Sequence, residues 1–321
     1  MGLDTTAVKF VCAAKSVGVD FRDTLTVGRQ NFISTPSALK RVFDVHDIQD
    51  DPKEFVRKHR FADEFFIRMG AERADSLDYS DYQNASVIQD MNSPIPDELK
   101  SRYSVVYDGG TIEHVFNIPQ ALKNCMEMVS VGGYFLQANI ANNFMGHGFW
   151  QFSPELVFRS LSAENGFEIV AVLLHEVLPD AGWVCRNEEW YLVTDPDDVG
   201  ERVELRNRFP TYILTIAKRT AEVEVFKNPP QQSDYSRVWH DHSTNSCGNT
   251  TQHGVRSSLK KSVPPWAKDV WHRMHRFQKS LRGPFRRPYY SKIKESDLLH
   301  GRFGESGERV IGNRKTQRKG G

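Results

Sequence analysis

Polar side chains recur at one place in this sequence, just after short apolar runs, and their types suit the binding of a nucleoside. Gly28 follows Thr24–Val27, Asp78 closes Ala74–Asp78, Asp90 follows Ser86–Gln89, and Asp108-Gly109-Gly110 follow Tyr103–Tyr107. Carboxylates so placed accept hydrogen bonds from ribose hydroxyls or an adenine amino group, and glycines let the backbone approach a ligand closely. Glu113 and His114 come next in the chain, and a later polar stretch holds Asn139, Asn142, Asn143, Gly146, His147, Gly148 and Gln151. Histidine is the natural base near neutral pH, so His114 and His147 are the expected catalytic groups, with Glu113 orienting one of them. Asn143 and Gln151 are expected to hydrogen-bond a substrate. Glu113, His114 and His147 lack the sequence spacing of a metal site, and no metal is expected. Taken singly, each acid also suits an ordinary strand-end or helix-start position; the reading as a site rests on the series.

The elements that must position these residues alternate. From Phe21 to about Thr220, β-rich runs and helical stretches follow one another in the rhythm of an α/β fold. The predicted class is a Rossmann-like, mostly parallel sheet with helices on both faces, plus a basic, largely irregular C-terminal extension. Helices are expected over Pro36–Phe43, Pro52–Met69, from Asn117 to a stop at Gly132-Gly133, and over Glu155–Glu164. Further strands are expected at Tyr134–Ile140, Phe167–Leu174 and Tyr212–Ala217. Only seven residues, Tyr79–Ala85, join the second and third strands; a parallel crossover with a helix needs about a dozen. The connection is abbreviated, or one strand lies outside the sheet. In a parallel sheet the ligand sits beyond the carboxyl ends of the strands, which is where the polar series falls.

Charge divides the chain. Thr251–Gly321 holds 18 Lys/Arg and 5 Asp/Glu, a net +13, whereas the first 250 residues hold 24 and 36, a net −12. The expected organisation is an α/β domain over 1–224, a linker over 225–258 and a basic extension over 259–321. Trp266–Leu281 in that extension is amphipathic, suiting an anionic membrane surface or an acidic partner, and the acidic body is one such partner, in cis or across a homodimer. That acidic body repels a polyanion, so nucleic acid is not expected as a partner. The longest apolar run, Ile169–Leu174, is too short to span a bilayer. The chain begins without a signal peptide's basic start, and its four cysteines form no C-x-x-C pair. A cytoplasmic, at most membrane-peripheral, protein is the expectation.

Three segments carry a family resemblance. They are Asp90-Met91-Asn92-Ser93-Pro94-Ile95-Pro96, Tyr103–His114, and Leu122–Leu136 with its Val131-Gly132-Gly133-Tyr134-Phe135-Leu136 ending. Together they resemble the second half of class I S-adenosylmethionine (SAM)-dependent methyltransferases, which show an Asp before a Leu-Pro-like element, an acidic fourth strand end followed by a Glu-His pair, and a helix closed by Gly-Gly. Gly146–Glu155 resembles a segment of bacterial methyltransferase-like proteins of unassigned substrate. The resemblance spans roughly Thr24–Ala217 and implies SAM as cofactor. It implies Asp78 as the ribose-binding acid, Asp90 on the adenine amino group, Met91 lining the adenine pocket and Gly28 under the methionine part, with Asp108 and Gly109 beside them. Apart from the resemblance, Arg29 beside Gly28 is a candidate to pair with the cofactor carboxylate. The implied activity is in-line methyl transfer to a small-molecule or glycan acceptor. The sequence departs from the family in its first turn, Thr26-Val27-Gly28-Arg29-Gln30-Asn31, which has one glycine in place of a G-x-G-x-G series. That departure motivates the alternative: a non-catalytic binding or scaffold protein of the same fold, acting through its basic tail.

Overall fold

The computed structural model describes residues 2–177, 189–239, 285 and 288–303. In chain order the elements are β1 (Gly2–Leu3), α1 (Thr5–Ser16), β2 (Asp23–Val27), β3 (Asn31–Phe32), α2 (Pro36–Val45), α3 (Pro52–Lys58), α4 (Asp63–Arg68), β4 (Arg73–Asp78) and β5 (Val87–Ile88). There follow β6 (Tyr103–Asp108), α5 (Ile118–Met128), β7 (Val129–Asn142), α6 (Pro154–Ser160), β8 (Phe167–Glu176), β9 (Trp190–Val193), α7 (Pro196–Val199), β10 (Thr211–Arg219), β11 (Tyr290–Ile293) and α8 (Glu295–Leu299).

Nine strands form one sheet in the order β11-β9-β8-β10-β7-β6-β2-β4-β5. β5, β4, β2, β6 and β7 run parallel, and β10 lies antiparallel between β7 and β8. Alternation along each strand supplies two apolar faces. Val105, Tyr107 and Leu136 pack on one side with Val8, Phe43 and Phe66 of the N-terminal helices. Val106 and Phe135 pack on the other with Leu122, Cys125 and Met126 of α5. Helices thus cover both faces, and the fold is the Rossmann-like α/β class that the sequence predicts. The chain leaves β2 toward β4 and β5, then returns to the opposite side of β2 as β6. That reversal leaves a crevice beyond the carboxyl ends of β2 and β6, the place where such sheets bind ligands.

Three local expectations are corrected, one open alternative is settled, and one helix had no sequence signal. The abbreviated connection Tyr79–Ala85 contains no helix, and β5 pairs with β4 through two residues only. The single helix expected over Pro52–Met69 is two, because the backbone between them is recruited elsewhere: Phe32 N donates to Arg60 O (2.8 Å) and Phe61 bridges Asn31. α1 gives no sequence signal since Thr5 to Ala14 are all buried, which removes the polar face that periodicity detects. Part of the sequence expected as an irregular extension is built into the body. β11 pairs with β9 at the sheet edge, and α8 docks on α1 through a buried Lys9–Glu295 ion pair (2.8 Å) and a Ser16 Oγ donation to Leu299 O (2.6 Å). The expected linker also begins packed, with Val225 buried and Ser233 donating through N and Oγ to Glu155. Trp266–Leu281 lies outside the described residues. Among the described residues no helix is long and apolar enough to cross a membrane.

Candidate functional site

Sheet register brings the strand-end series into one row. Val27 pairs with Leu77 on one side and Asp108 on the other, and Asp78 pairs with Ile88. Gly28, Asp78, Asp108 and Gly109 therefore stand at one level, with Asp90 beyond β5. At the β2 end, Gly28 adopts φ +80°, and a Cβ there would stand 2.3 Å from Thr111 Oγ1, so both conformation and space require glycine. Two side chains fill the turn that a glycine series would leave open. Gln30 Nε2 donates to Val27 O (2.8 Å) and Thr111 Oγ1 (3.3 Å), and Thr111 Oγ1 donates to the same carbonyl (2.7 Å). Gln30 Oε1 is buried with no partner among the described residues.

On the β4–β5 side the acids hold turns. Asp78 accepts from Arg29 N (3.1 Å) and Tyr79 N (2.7 Å), which leaves a half-buried carboxylate with capacity for two further donors. Asp90 Oδ1 accepts from the backbone and side-chain nitrogens of Asn92, both at 2.9 Å. Asn92 Oδ1 in turn accepts from Asn117 N (3.0 Å), tying this turn to the start of α5. Met91 is buried among core residues. Arg29 is not free for a cofactor carboxylate: its guanidinium pairs with Asp63 (2.7 Å) and lies 4.4 Å from the centre of the Phe61 ring.

The β6–β7 side is buried and converges. Asp108 is inaccessible, and both its carboxylate oxygens are engaged, Oδ1 by Thr111 N (2.9 Å) and Ile112 N (3.3 Å) and Oδ2 by Asn139 Nδ2 (2.8 Å). It shapes the turn that presents Glu113 and His114, which corrects its expected role as a direct cofactor ligand. Asn139 Nδ2 also donates to Glu113 Oε2 (2.9 Å), bridging the two acids. Burial pushes both carboxyls above the usual range, Glu113 further because the Asp108 charge lies beside it, while the Asn139 amide works in the opposite direction. The loop carrying His147 is clipped onto this turn by Phe149 N and Trp150 N, which donate to Glu113 O (2.8 and 3.2 Å). Only glycine fits at 148, where φ is +73° and a Cβ would stand 2.8 Å from that carbonyl. His147 Nε2 consequently lies 3.9 Å from Glu113 Oε1, and the His114 and His147 rings meet edge to face at 5.0 Å. Burial lowers the pKa of both imidazoles, and for His114 the His147 charge adds to it.

Glu113 and His147 line a cavity of about 560 Å³, whose wall also includes Tyr107, Gly109 and Gly110. The Tyr107 hydroxyl is buried without a partner among the described residues. Sequence reasoning missed a further part of the wall, made by Gly2, Asp4, Thr6 and Ala7 and by the basic run Arg57-Lys58-His59-Arg60; the run was visible as contiguous charge, whereas nothing in the N-terminal residues tied them to the strand-end series. Of the predicted residues, the fold brings Glu113, His114 and His147 together and places Gly109 on the cavity. Gly28, Asp78, Asp90 and Met91 are not among its lining residues. The two expected substrate ligands hold the loop instead: Asn143 donates to Asn207 and Phe209 O (2.9 Å), and Gln151 Oε1 accepts from Phe144 N (3.0 Å).

No protein-family model matches the sequence, and no curated protein matches it. Among solved structures, a candidate methyltransferase of Bacillus halodurans is similar at 10% identity, over 66% of this chain and 99% of that one, with a TM-score of 0.37. A candidate SAM-dependent methyltransferase of Listeria monocytogenes aligns at 12% identity over 66% and 98%, TM-score 0.36. The 1,6-didemethyltoxoflavin-N1-methyltransferase of Burkholderia thailandensis, solved with its substrate and S-adenosylhomocysteine, aligns at 11% identity over 65% and 79%, TM-score 0.33. Likeness of this degree assigns no activity.

Proposed function

We propose that the protein is a SAM-dependent methyltransferase acting on a small-molecule or glycan acceptor. The observation that carries this reading is the row of Asp90, Asp78, Gly28 and Gly109 at the reversal of strand order, whose Gly109 end also lines the Glu113–His147 cavity. The residues suit the cofactor. Asp78 has carboxylate capacity left for ribose hydroxyls, Asp90 keeps Oδ2 for an adenine amino group, and the orphaned Gln30 Oε1 and Tyr107 hydroxyl offer partners to an amino-acid end. When bound, SAM supplies a methyl group on a positive sulfonium, already reactive toward a nucleophile in line with sulfur. The protein's task is then to hold the acceptor in that line and exclude water. Glu113, His114 and His147 stand where they would orient the acceptor's nucleophilic atom. Beside them, exposed Phe116, Phe149 and Trp150 offer an aromatic surface to the apolar face of a ring-shaped acceptor.

Incubation with methyl-labelled SAM and fractionated small-molecule and glycan pools tests the proposal. Label in one acceptor fraction, lost in His147→Ala and Asp78→Ala, is the expected result. A protein that neither binds SAM nor labels any fraction would overturn it.

A further inference from the structure

We propose that Glu113, His114 and His147 form a binding site for one divalent transition-metal ion. One ligand atom from each residue lies within 4.8 Å of the other two. The donor set, two imidazoles and one carboxylate, leaves coordination positions open and suits borderline ions such as Zn²⁺, Co²⁺ or Mn²⁺. Around one such ion, ligand atoms stand roughly 3–3.5 Å apart, so the three must close by about an ångström. The chain gives them that freedom on one side and fixes them on the other. His147 sits between Gly146 and Gly148 and is half-buried, whereas Glu113 is buried and oriented by Asn139 on Oε2, leaving Oε1 as the oxygen toward His147. An outer hydrogen bond of this kind is what sets the direction of a metal-ligating carboxylate. The open positions would face the cavity that Glu113 and His147 line.

The site deepens the methyltransferase reading, on which its role, though not its existence, rests. A hydroxyl of the acceptor bound to the ion would lose its proton to solvent near neutral pH, since a bound cation lowers the pKa of a coordinated O–H. Its oxygen would then form the new C–O bond as the S–CH₃ bond breaks, the bonding pair remaining on sulfur to give S-adenosylhomocysteine. The acceptor is then a hydroxyl compound.

The test uses tag-free full-length protein titrated with Co²⁺, followed by visible absorption and displaced with Zn²⁺. One equivalent should bind with visible bands of low-symmetry cobalt. His114→Ala and His147→Ala, at exposed and half-buried positions, should each weaken it at least tenfold, while His300→Ala, just after α8, leaves it unchanged. No saturable cobalt binding, or binding unaltered in both variants at unchanged melting temperature, would overturn the site. S-adenosylhomocysteine titration of the same samples separates the two ideas. Cofactor binding without cobalt binding removes the metal alone, and cobalt binding without cofactor binding removes the methyltransferase reading alone.

Discussion

The two halves of the strand-end row use the same residue type in opposite ways. Beyond β4 and β5, Asp78 and Asp90 are half-buried and each holds a local turn, with carboxylate capacity left over. At the β6–β7 ends, Asp108 and Glu113 are buried and joined by one asparagine amide, and Glu113 lines a cavity. An acid at a strand end is therefore not one signal but two. Where water reaches, it is an acceptor waiting for a ligand; where water is excluded, it is a positioning device whose own ionisation is opposed.

Removing the bridge should break the buried half most severely. Asn139→Leu leaves two buried carboxyls without their shared donor, and unfolding in urea should show a loss of roughly 2–4 kcal/mol. Next comes Asp4, at the start of α1 on the cavity wall, where it accepts from Ala7 N (2.8 Å). Burial raises its pKa to about 6 from 3.8. The stabilisation from its protonated form is full below pH 3.8, is lost as pH rises toward 6 and is absent at pH 7. Asp4→Asn keeps the cap and never ionises. It should add roughly 1–2 kcal/mol at pH 7 and nothing near pH 3.5, read from denaturation midpoints at both. On the open half the effects should fall on ligand rather than fold. Asp78→Ala should weaken S-adenosylhomocysteine about tenfold, or about 1.4 kcal/mol, and Asp90→Ala should cost under about 1 kcal/mol of stability for its lost turn.

Much of this was legible in the sequence. Strand-end positions of Gly28, Asp78, Asp90 and Asp108 follow from alternating apolar runs, and the Glu113-His114 pair and glycine-flanked His147 were visible as unusual types. Their convergence was not, because it depends on backbone donors of Phe149 and Trp150 meeting Glu113 O, a contact that leaves no trace in spacing. The metal-ligand grouping has no sequence spacing for the same reason. Asn143 and Gln151 looked like substrate ligands since polar loop residues that bind a loop and those that bind a ligand are the same types. α8 was hidden inside a run of positive charge; its two acids, Asp297 and Glu295, the latter the partner of buried Lys9, set that segment apart.

Calorimetric titration with S-adenosylhomocysteine tests the central claim, a cofactor on the strand-end row, most directly. The account predicts one saturable site in the micromolar range, weakened by Asp78→Ala and by Gln30→Ala. Absence of binding at millimolar ligand would contradict it.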